Sequence, residues 1–159
     1  MSFELKILIA TWVVMVILLI LFVPRKKLLE AQLSFLFMQV LTWPFGAIVV
    51  ENRLIEYPER LMEYAYRISF TFEFFLFPSI SALFNIHFPK EKSWMVKLLY
   101  IVSFPTVMTI IEVILEKYTD LVKYRHWTWY WSWITITITL LISYWYFCWF
   151  FKKIKQKYQ

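Results

Sequence analysis

The sequence predicts an all-α fold: a polytopic transmembrane helix bundle with five spans and one short helix at the membrane interface. The chain has 159 residues, of which 61% are hydrophobic and 22% aromatic, and its mean hydropathy is +0.59. Soluble domains are roughly 45–50% apolar, and a chain this short could not bury so much apolar surface in water. Several apolar stretches also approach the length of about 20 residues that a helix needs to cross a bilayer. We therefore treat residues 1–159 as a single transmembrane domain.

The first two spans are separated by a proline and three basic residues. The first covers residues 7–23, and because no small-residue cleavage site precedes Pro24, we interpret it as an uncleaved helix. The second covers residues 28–50. In it Gln32, Gln39 and Gly46 recur at seven-residue spacing, so they share a helix face that is expected to pack on other helices.

A charged segment precedes the third span. Residues 51–67 place several apolar side chains on one helical face, which predicts a short amphipathic helix lying at the membrane interface. The third span covers residues 68–88 and carries Glu73, Ser81 and Asn85 on one helical stripe. Polar residues inside a span are costly toward lipid, so this stripe should face the interior of the bundle.

The last two spans are long and differ in their polar residues. The fourth covers residues 94–115 and has Glu112 and, just beyond the span, Glu116 one helical turn apart. The fifth covers residues 131–151 and contains the run I-T-I-T-I-T, whose alternation is typical of a strand. A single strand would leave its backbone unpaired in lipid, so we predict a helix here as well.

The distribution of basic residues predicts the orientation in the membrane. Ten of the 17 Lys and Arg residues fall on one side of this five-span bundle, and the positive-inside rule places that side in the cytoplasm. The ten are Arg25, Lys26, Lys27, Lys90, Lys92, Lys97, Lys152, Lys153, Lys155 and Lys157. We expect a multi-pass protein of the plasma membrane with its N-terminus outside and its C-terminus in the cytoplasm.

Acidic residues and a histidine gather at the opposite side of the bundle. Glu73 and Glu112 lie on consecutive helices joined by a short turn, which are expected to be antiparallel neighbours. Our hypothesis is one outward-facing polar pocket that contains Glu73, Glu112 and His126, with Glu116 at its rim. Such a pocket would suit a lipid headgroup or a cation better than an anion.

Each of these acidic residues also has a structural interpretation. Glu73 could be a structural partner of Arg53 or Arg67, or of a polar group on another helix. Glu112 and Glu116 could simply mark a solvated helix end, since glutamates four residues apart are common on helices. The sequence leaves both interpretations open.

A row of tryptophans precedes the fifth span. Trp127, Trp129, Trp131 and Trp133 alternate along the chain, shortly after Tyr124. Tryptophan and tyrosine concentrate where a membrane meets water, so we expect these side chains to contact lipid as an aromatic belt. The alternative is a platform for a lipid or an aromatic ligand.

Four short sequence motifs resemble motifs of known proteins. They are W-P-F-G at residues 43–46, F-T-F-E-F-F at 70–75, E-V-I-L-E-K-Y-T at 112–119 and H-W-T-W-Y-W-S-W at 126–133. Through these motifs the chain resembles a family of small five-helix integral membrane proteins from spore-forming Gram-positive bacteria, and the resemblance covers most of the chain after the first span. The resemblance implies a membrane location and no particular activity.

Three classes of function fit these observations. The first is a lipid-interacting or accessory membrane component whose partners are membrane lipids or another membrane protein. The second is a membrane enzyme acting on a lipid or isoprenoid, with Glu73, Glu112 and Glu116 as acid and base groups supported by His126. The third is a small proton or cation transporter. An internal repeat would favour transport, and the sequence shows none.

The composition predicts no cofactor, no metal and no nucleic-acid partner. One glycine cannot build a phosphate-binding loop, and one cysteine cannot build a multi-cysteine metal site. His87 and His126 are expected at opposite membrane faces, which excludes a haem held between them. The basic residues flank the apolar stretches, as lipid headgroups and topology require, rather than forming a nucleic-acid footprint.

Overall fold

The computed structural model describes residues 2–157 of the chain, with side chains from residue 2 to residue 154. It has the predicted all-α architecture. The helices are α1 (Phe3–Phe22), α2 (Leu28–Glu51, after a 3-10 turn at Arg25–Lys27), a π-helical segment (Phe70–Leu76) that continues into α3 (Phe77–Ile86), α4 (Trp94–Tyr118) and α5 (Trp129–Lys157). Of these, α1, α2, α4 and α5 are long and apolar enough to cross a membrane, whereas the combined segment Phe70–Ile86 is shorter. The chain is therefore a helical membrane protein.

The helices alternate in direction, as contacts at both ends of the bundle show. At one end the Lys27 Nζ donates a hydrogen bond to the carbonyl of Ile86, 2.9 Å away, so the α1–α2 and α3–α4 connections lie together. At the other end β1 (Ile55–Glu56) pairs antiparallel with β2 (Lys123–Tyr124), which joins the α2–α3 and α4–α5 loops. The prediction that these two loops share a side is confirmed.

The predicted interfacial helix at residues 51–67 is wrong. The segment consists of turns and the short strand β1, and Arg53 adopts a left-handed backbone conformation with φ of 55°. Its backbone groups bind elsewhere: the carbonyl of Leu54 accepts from two N–H groups of the α4–α5 loop. The guanidinium of Arg60 donates to the carbonyl of Tyr57. Because the α4–α5 loop and Arg60 already supply hydrogen-bond partners to the backbone of this segment, folding it into a helix would add no hydrogen bonds.

The π-helical segment Phe70–Leu76 is explained by Pro78. Proline has no backbone N–H, so carbonyls about one turn earlier lose their usual partner. A side chain from α2 replaces one of these bonds, since the Gln39 Nε2 donates to the carbonyl of Phe74 at 2.8 Å. Single π turns of this kind are frequently found at functional sites, and this one carries Glu73.

The core of the bundle is held by packed side chains and by a buried polar network. Phe84 of α3 is fully buried and packs against neighbours from α2, α4 and α5. Asn85 donates to the hydroxyls of Ser34 and Ser143, each at 3.0 Å, and Ser81 lies 2.7 Å from Ser143. The polar stripe of the third span therefore faces inward, as predicted, and links α2, α3 and α5 as hydrogen bonds commonly do between helices in membranes. The I-T-I-T-I-T run is helical, and its threonines donate to carbonyls of the preceding turn of α5.

Candidate functional site

A cavity of about 740 Å³ lies in the part of the bundle nearest the paired loops. Its walls are mostly apolar, and all the major helices contribute to them. The larger apolar side chains in the wall include Leu18, Phe45, Phe72, Phe77, Phe104 and Met108. The side chains of Glu73 and Glu112 line the same cavity. The loops close one end of it with Ile55, Tyr57, Val122 and Trp127.

Glu73 is buried, and α2 and the α2–α3 loop hold it in place. The Thr42 hydroxyl donates to the backbone carbonyl of Glu73 at 2.7 Å, which ties the π-helical segment to α2. The carboxyl group lies against Gly46, where a Cβ atom would be 3.0 Å from the Glu73 Cδ. The Tyr57 hydroxyl donates to the Glu73 Oε1 over 3.5 Å. The sole glycine of the chain thus makes room for a carboxyl group inside the bundle.

The Glu73 carboxyl group is paired with Tyr57 and not with the arginines that the sequence suggests. The described chain has no ion pair between Glu73 and Arg53 or Arg67, so those candidate partners are wrong. Tyr57 is buried at the edge of the loop, and burial, reinforced by the neighbouring Glu73 carboxyl, raises its pKa well above the usual value. The hydroxyl therefore keeps its proton and acts as a hydrogen-bond donor.

Glu112 receives two short hydrogen bonds from the α4–α5 region. Its Oε1 accepts from the Tyr124 hydroxyl and from the Ser132 hydroxyl, both at 2.8 Å. Ser132 in turn accepts from the Trp127 Nε1 at 2.9 Å. Burial raises the pKa of Tyr124, so this hydroxyl also stays protonated. The β1–β2 pairing positions Tyr124 because Tyr124 itself is opposite Ile55 in the ladder.

His126 and Glu116 do not join the two carboxyl groups. His126 is exposed, its Nδ1 lies 3.4 Å from the carbonyl of Arg53, and it is absent from the cavity wall. Glu116 is half-buried one turn beyond Glu112 and is also absent from that wall. The hypothesis of one pocket with Glu116 at its rim is therefore wrong in including His126, because the loop turns the histidine outward. The structure brings together only Glu73 and Glu112.

The tryptophan row divides into two pairs. Trp129 and Trp131 are exposed, at 59% and 47%, and are the two that suit an aromatic belt. Trp127 and Trp133 are half-buried and donate their indole N–H groups to Ser132 and to Thr106. The second pair is part of the bundle rather than of its lipid-facing surface, and Tyr124 is likewise turned toward Glu112.

Three residues of the site were not singled out for it in the sequence. Tyr57 lies in a loop, and its distance from Glu73 along the chain follows no helical spacing. Ser132 lies near the start of α5, and nothing in the sequence indicates that its partner is a carboxyl group of α4. Gly46 carried the clearest signal, since one glycine among 159 residues marks a close approach inside a helix.

The comparisons with known proteins leave the family open. No family model, no curated protein and no solved structure matches this chain. Among the described residues, no group of three His, Cys, Asp or Glu side chains could hold a metal ion. The described site consists of two carboxyl groups, the hydroxyl and indole donors around them and an apolar cavity.

Proposed function

We propose that this chain is a lipid-interacting protein of the plasma membrane that holds the apolar chain of a membrane lipid in its cavity. The observation that carries the proposal is a large apolar cavity between helices that are long enough to cross a membrane, with acidic groups toward one end. Protein interiors contain few voids larger than a water molecule, whereas ligand sites span about 300–1,000 Å³. A cavity of about 740 Å³ belongs to the second class.

The arrangement of α1 and α4 supports access from the lipid. Helix α1 packs on the π-helical segment and α3, and α4 packs on α5, but within the described residues α1 and α4 are not packed along each other. Both nevertheless line the cavity. Trp12 holds α1 against the π-helical segment: its ring stacks on Phe75 with ring centroids 3.9 Å apart, and its indole N–H donates to the Thr71 hydroxyl.

Residues at this gap are both exposed and part of the cavity wall. On α1 these are Ala10 and Val14, and on α4 they are Val107 and Ile111. A side chain that lines a cavity and is also exposed lies at the opening of that cavity, which we call its mouth. Because the mouth lies between two helices long enough to span a membrane, it would open sideways into the bilayer rather than into water.

The orientation is part of the same proposal. The α1–α2 and α3–α4 connections carry Arg25, Lys26, Lys27, Lys90 and Lys92 at the end of the bundle away from the carboxyl groups. Lysine and arginine near helix ends favour the cytoplasmic side and anionic headgroups. The carboxyl groups would then lie toward the outer face, with the N-terminus outside and the C-terminus inside.

A second candidate function is a membrane enzyme that acts on a lipid or isoprenoid. The specific observation in its favour is that Glu73 and Glu112 line one apolar cavity, where two carboxyl groups could act as acid and base on a bound chain. Turnover of a retained lipid, with an altered mass that Glu73→Gln abolishes while lipid retention persists, would support this candidate. Retention of an unaltered lipid supports a binding role.

Native mass spectrometry of the protein purified in a mild nonionic detergent tests the binding proposal. We expect the wild-type chain to retain a lipid. Val14→Trp should fill the mouth and abolish retention, whereas Val13→Trp is a matched control. The two valines are adjacent and 53% and 52% exposed, but only Val14 lines the cavity. A wild-type protein free of lipid, or equal retention by both variants, would contradict the proposal.

A further inference from the structure

The hydrogen-bond donors around the cavity are already occupied. The Thr42 hydroxyl donates to the backbone carbonyl of Glu73, and the Ser132 hydroxyl donates to the Glu112 carboxyl group. Every other serine or threonine in the wall donates to a backbone carbonyl of its own helix; these are Thr11, Ser103, Thr135 and Thr139. The donors of Tyr57 and Trp127 are directed at Glu73 and Ser132. The wall therefore offers a ligand almost no donor.

The acceptors of the two carboxyl groups are only partly occupied. In each group Oε1 takes the hydrogen bonds, and Oε2 makes none within the described side chains. Glu73 is only 6% exposed. Its Oε2 is nevertheless not one of the fully buried polar atoms that lack a hydrogen-bond partner, so this oxygen is in contact with open space. An unpartnered carboxyl oxygen of a side chain more than nine-tenths buried thus faces the open space of the cavity.

No positive charge balances these groups from the protein. The cavity wall as described contains no Lys, Arg or His, and the ion pairs of the described residues involve Glu56 and Asp120 instead. A carboxylate inside a membrane is usually paired, because an isolated charge is costly there. A phosphate or a carboxylate head would be repelled by the two carboxyl groups and would find almost no hydrogen-bond donor in the wall.

We propose that the cavity binds a membrane amphiphile with a protonated primary amine, its N–H groups directed at Glu73 and Glu112 and its chain running toward the gap between α1 and α4. This inference rests on the proposed lipid-binding function and adds the chemistry of the head. An ammonium group supplies three donors and no acceptor, which complements a site with free acceptors and almost no free donor. Access between helices commits the occupant to a membrane amphiphile rather than to a soluble amine.

Chain-matched probes test the head group directly. Hexadecylamine, hexadecanol and hexadecanoic acid are titrated into delipidated protein in the same nonionic detergent, and binding is followed by thermal shift and native mass spectrometry. We expect hexadecylamine to bind at least about tenfold more tightly than the other two, as hydrogen bonds to charged groups allow. Butylamine, which has the head without the long chain, should not bind at the same concentration.

A pair of variants on one helix assigns the effect to the site. Glu112→Gln should remove most of the preference for hexadecylamine over hexadecanol, whereas Glu116→Gln should keep it. Glu116 lies four residues from Glu112 on α4 but outside the cavity wall. The comparison of the three probes on the wild-type protein remains decisive even where Glu112→Gln folds poorly.

The outcomes separate this inference from the function on which it rests. Equal binding of all three long-chain probes would overturn the amine inference and leave lipid binding intact. Tightest binding of hexadecanoic acid, or butylamine binding as tightly as hexadecylamine, would also overturn it. If no long-chain probe binds and the purified protein holds no lipid, the proposed function fails together with the inference.

Discussion

Replacing Gly46 with alanine tests whether the Glu73 carboxyl is positioned by the space that a glycine leaves. The added Cβ would lie 3.0 Å from the Glu73 Cδ and 3.1 Å from its Cγ and Oε1, distances shorter than normal van der Waals contact. The Glu73 backbone cannot retreat freely, because its carbonyl accepts from Thr42 at 2.7 Å. The side chain must therefore move by a few tenths of an ångström and strain its contact with Tyr57.

The expected size of this effect follows from two opposing contributions. Overpacking of a buried site costs about 1–3 kcal/mol, and replacing glycine by alanine inside a helix returns about 1 kcal/mol. We expect a net destabilisation of about 1 kcal/mol, which lowers the melting temperature of a chain of this size by about 2–4 °C. Thermal unfolding in a nonionic detergent measures it.

A double-mutant cycle makes the prediction specific. In a Glu73→Ala background the clash disappears, so Gly46→Ala should be neutral or should raise the free energy of unfolding by up to about 1 kcal/mol. The coupling between the two positions would then be about 1–3 kcal/mol, within the range of residues in contact. If Gly46→Ala raises the melting temperature equally in both backgrounds, the reasoning about the close approach is refuted.

Three other predictions concern the loops, the core and the orientation. Tyr124→Phe removes a donor from Glu112 and should cost about 1–3 kcal/mol, whereas the exposed control Tyr118→Phe should change the free energy of unfolding by less than about 0.5 kcal/mol; equal effects would contradict the role of Tyr124. Asn85→Ala removes two interhelical hydrogen bonds and should cost about 1 kcal/mol in reversible unfolding from mixed micelles, and no measurable loss would contradict that role. On intact cells a cysteine at Leu28 should resist a membrane-impermeant maleimide and one at Tyr64 should react, and the reverse pattern would refute the orientation.

The sequence was sufficient to predict the five apolar helical segments and the inward direction of Glu73. Long apolar stretches have few alternatives in lipid, because every backbone group must be satisfied within the segment. The same reasoning correctly favoured a helix over a strand for the I-T-I-T-I-T run. Glu73 had to face the bundle because a carboxyl group directed at lipid chains is too costly.

The conformation of the two paired loops could not be predicted from the sequence. Residues 51–67 have a helical pattern of apolar positions, but their backbone partners come from the α4–α5 loop more than 60 residues away. The role of Tyr57 depends on that pairing, and so does the outward direction of His126. Both the missing interfacial helix and the wrong assignment of the histidine follow from one tertiary contact, the β1–β2 ladder.

A crystal structure grown from a lipidic mesophase would test the central claim most directly, because it shows what fills the cavity between α1 and α4. We expect continuous density for an apolar chain that runs from the gap between these helices to the carboxyl groups of Glu73 and Glu112. A cavity that has collapsed by packing of α1 on α4, or one filled only by ordered water, would contradict the proposal of a lipid site.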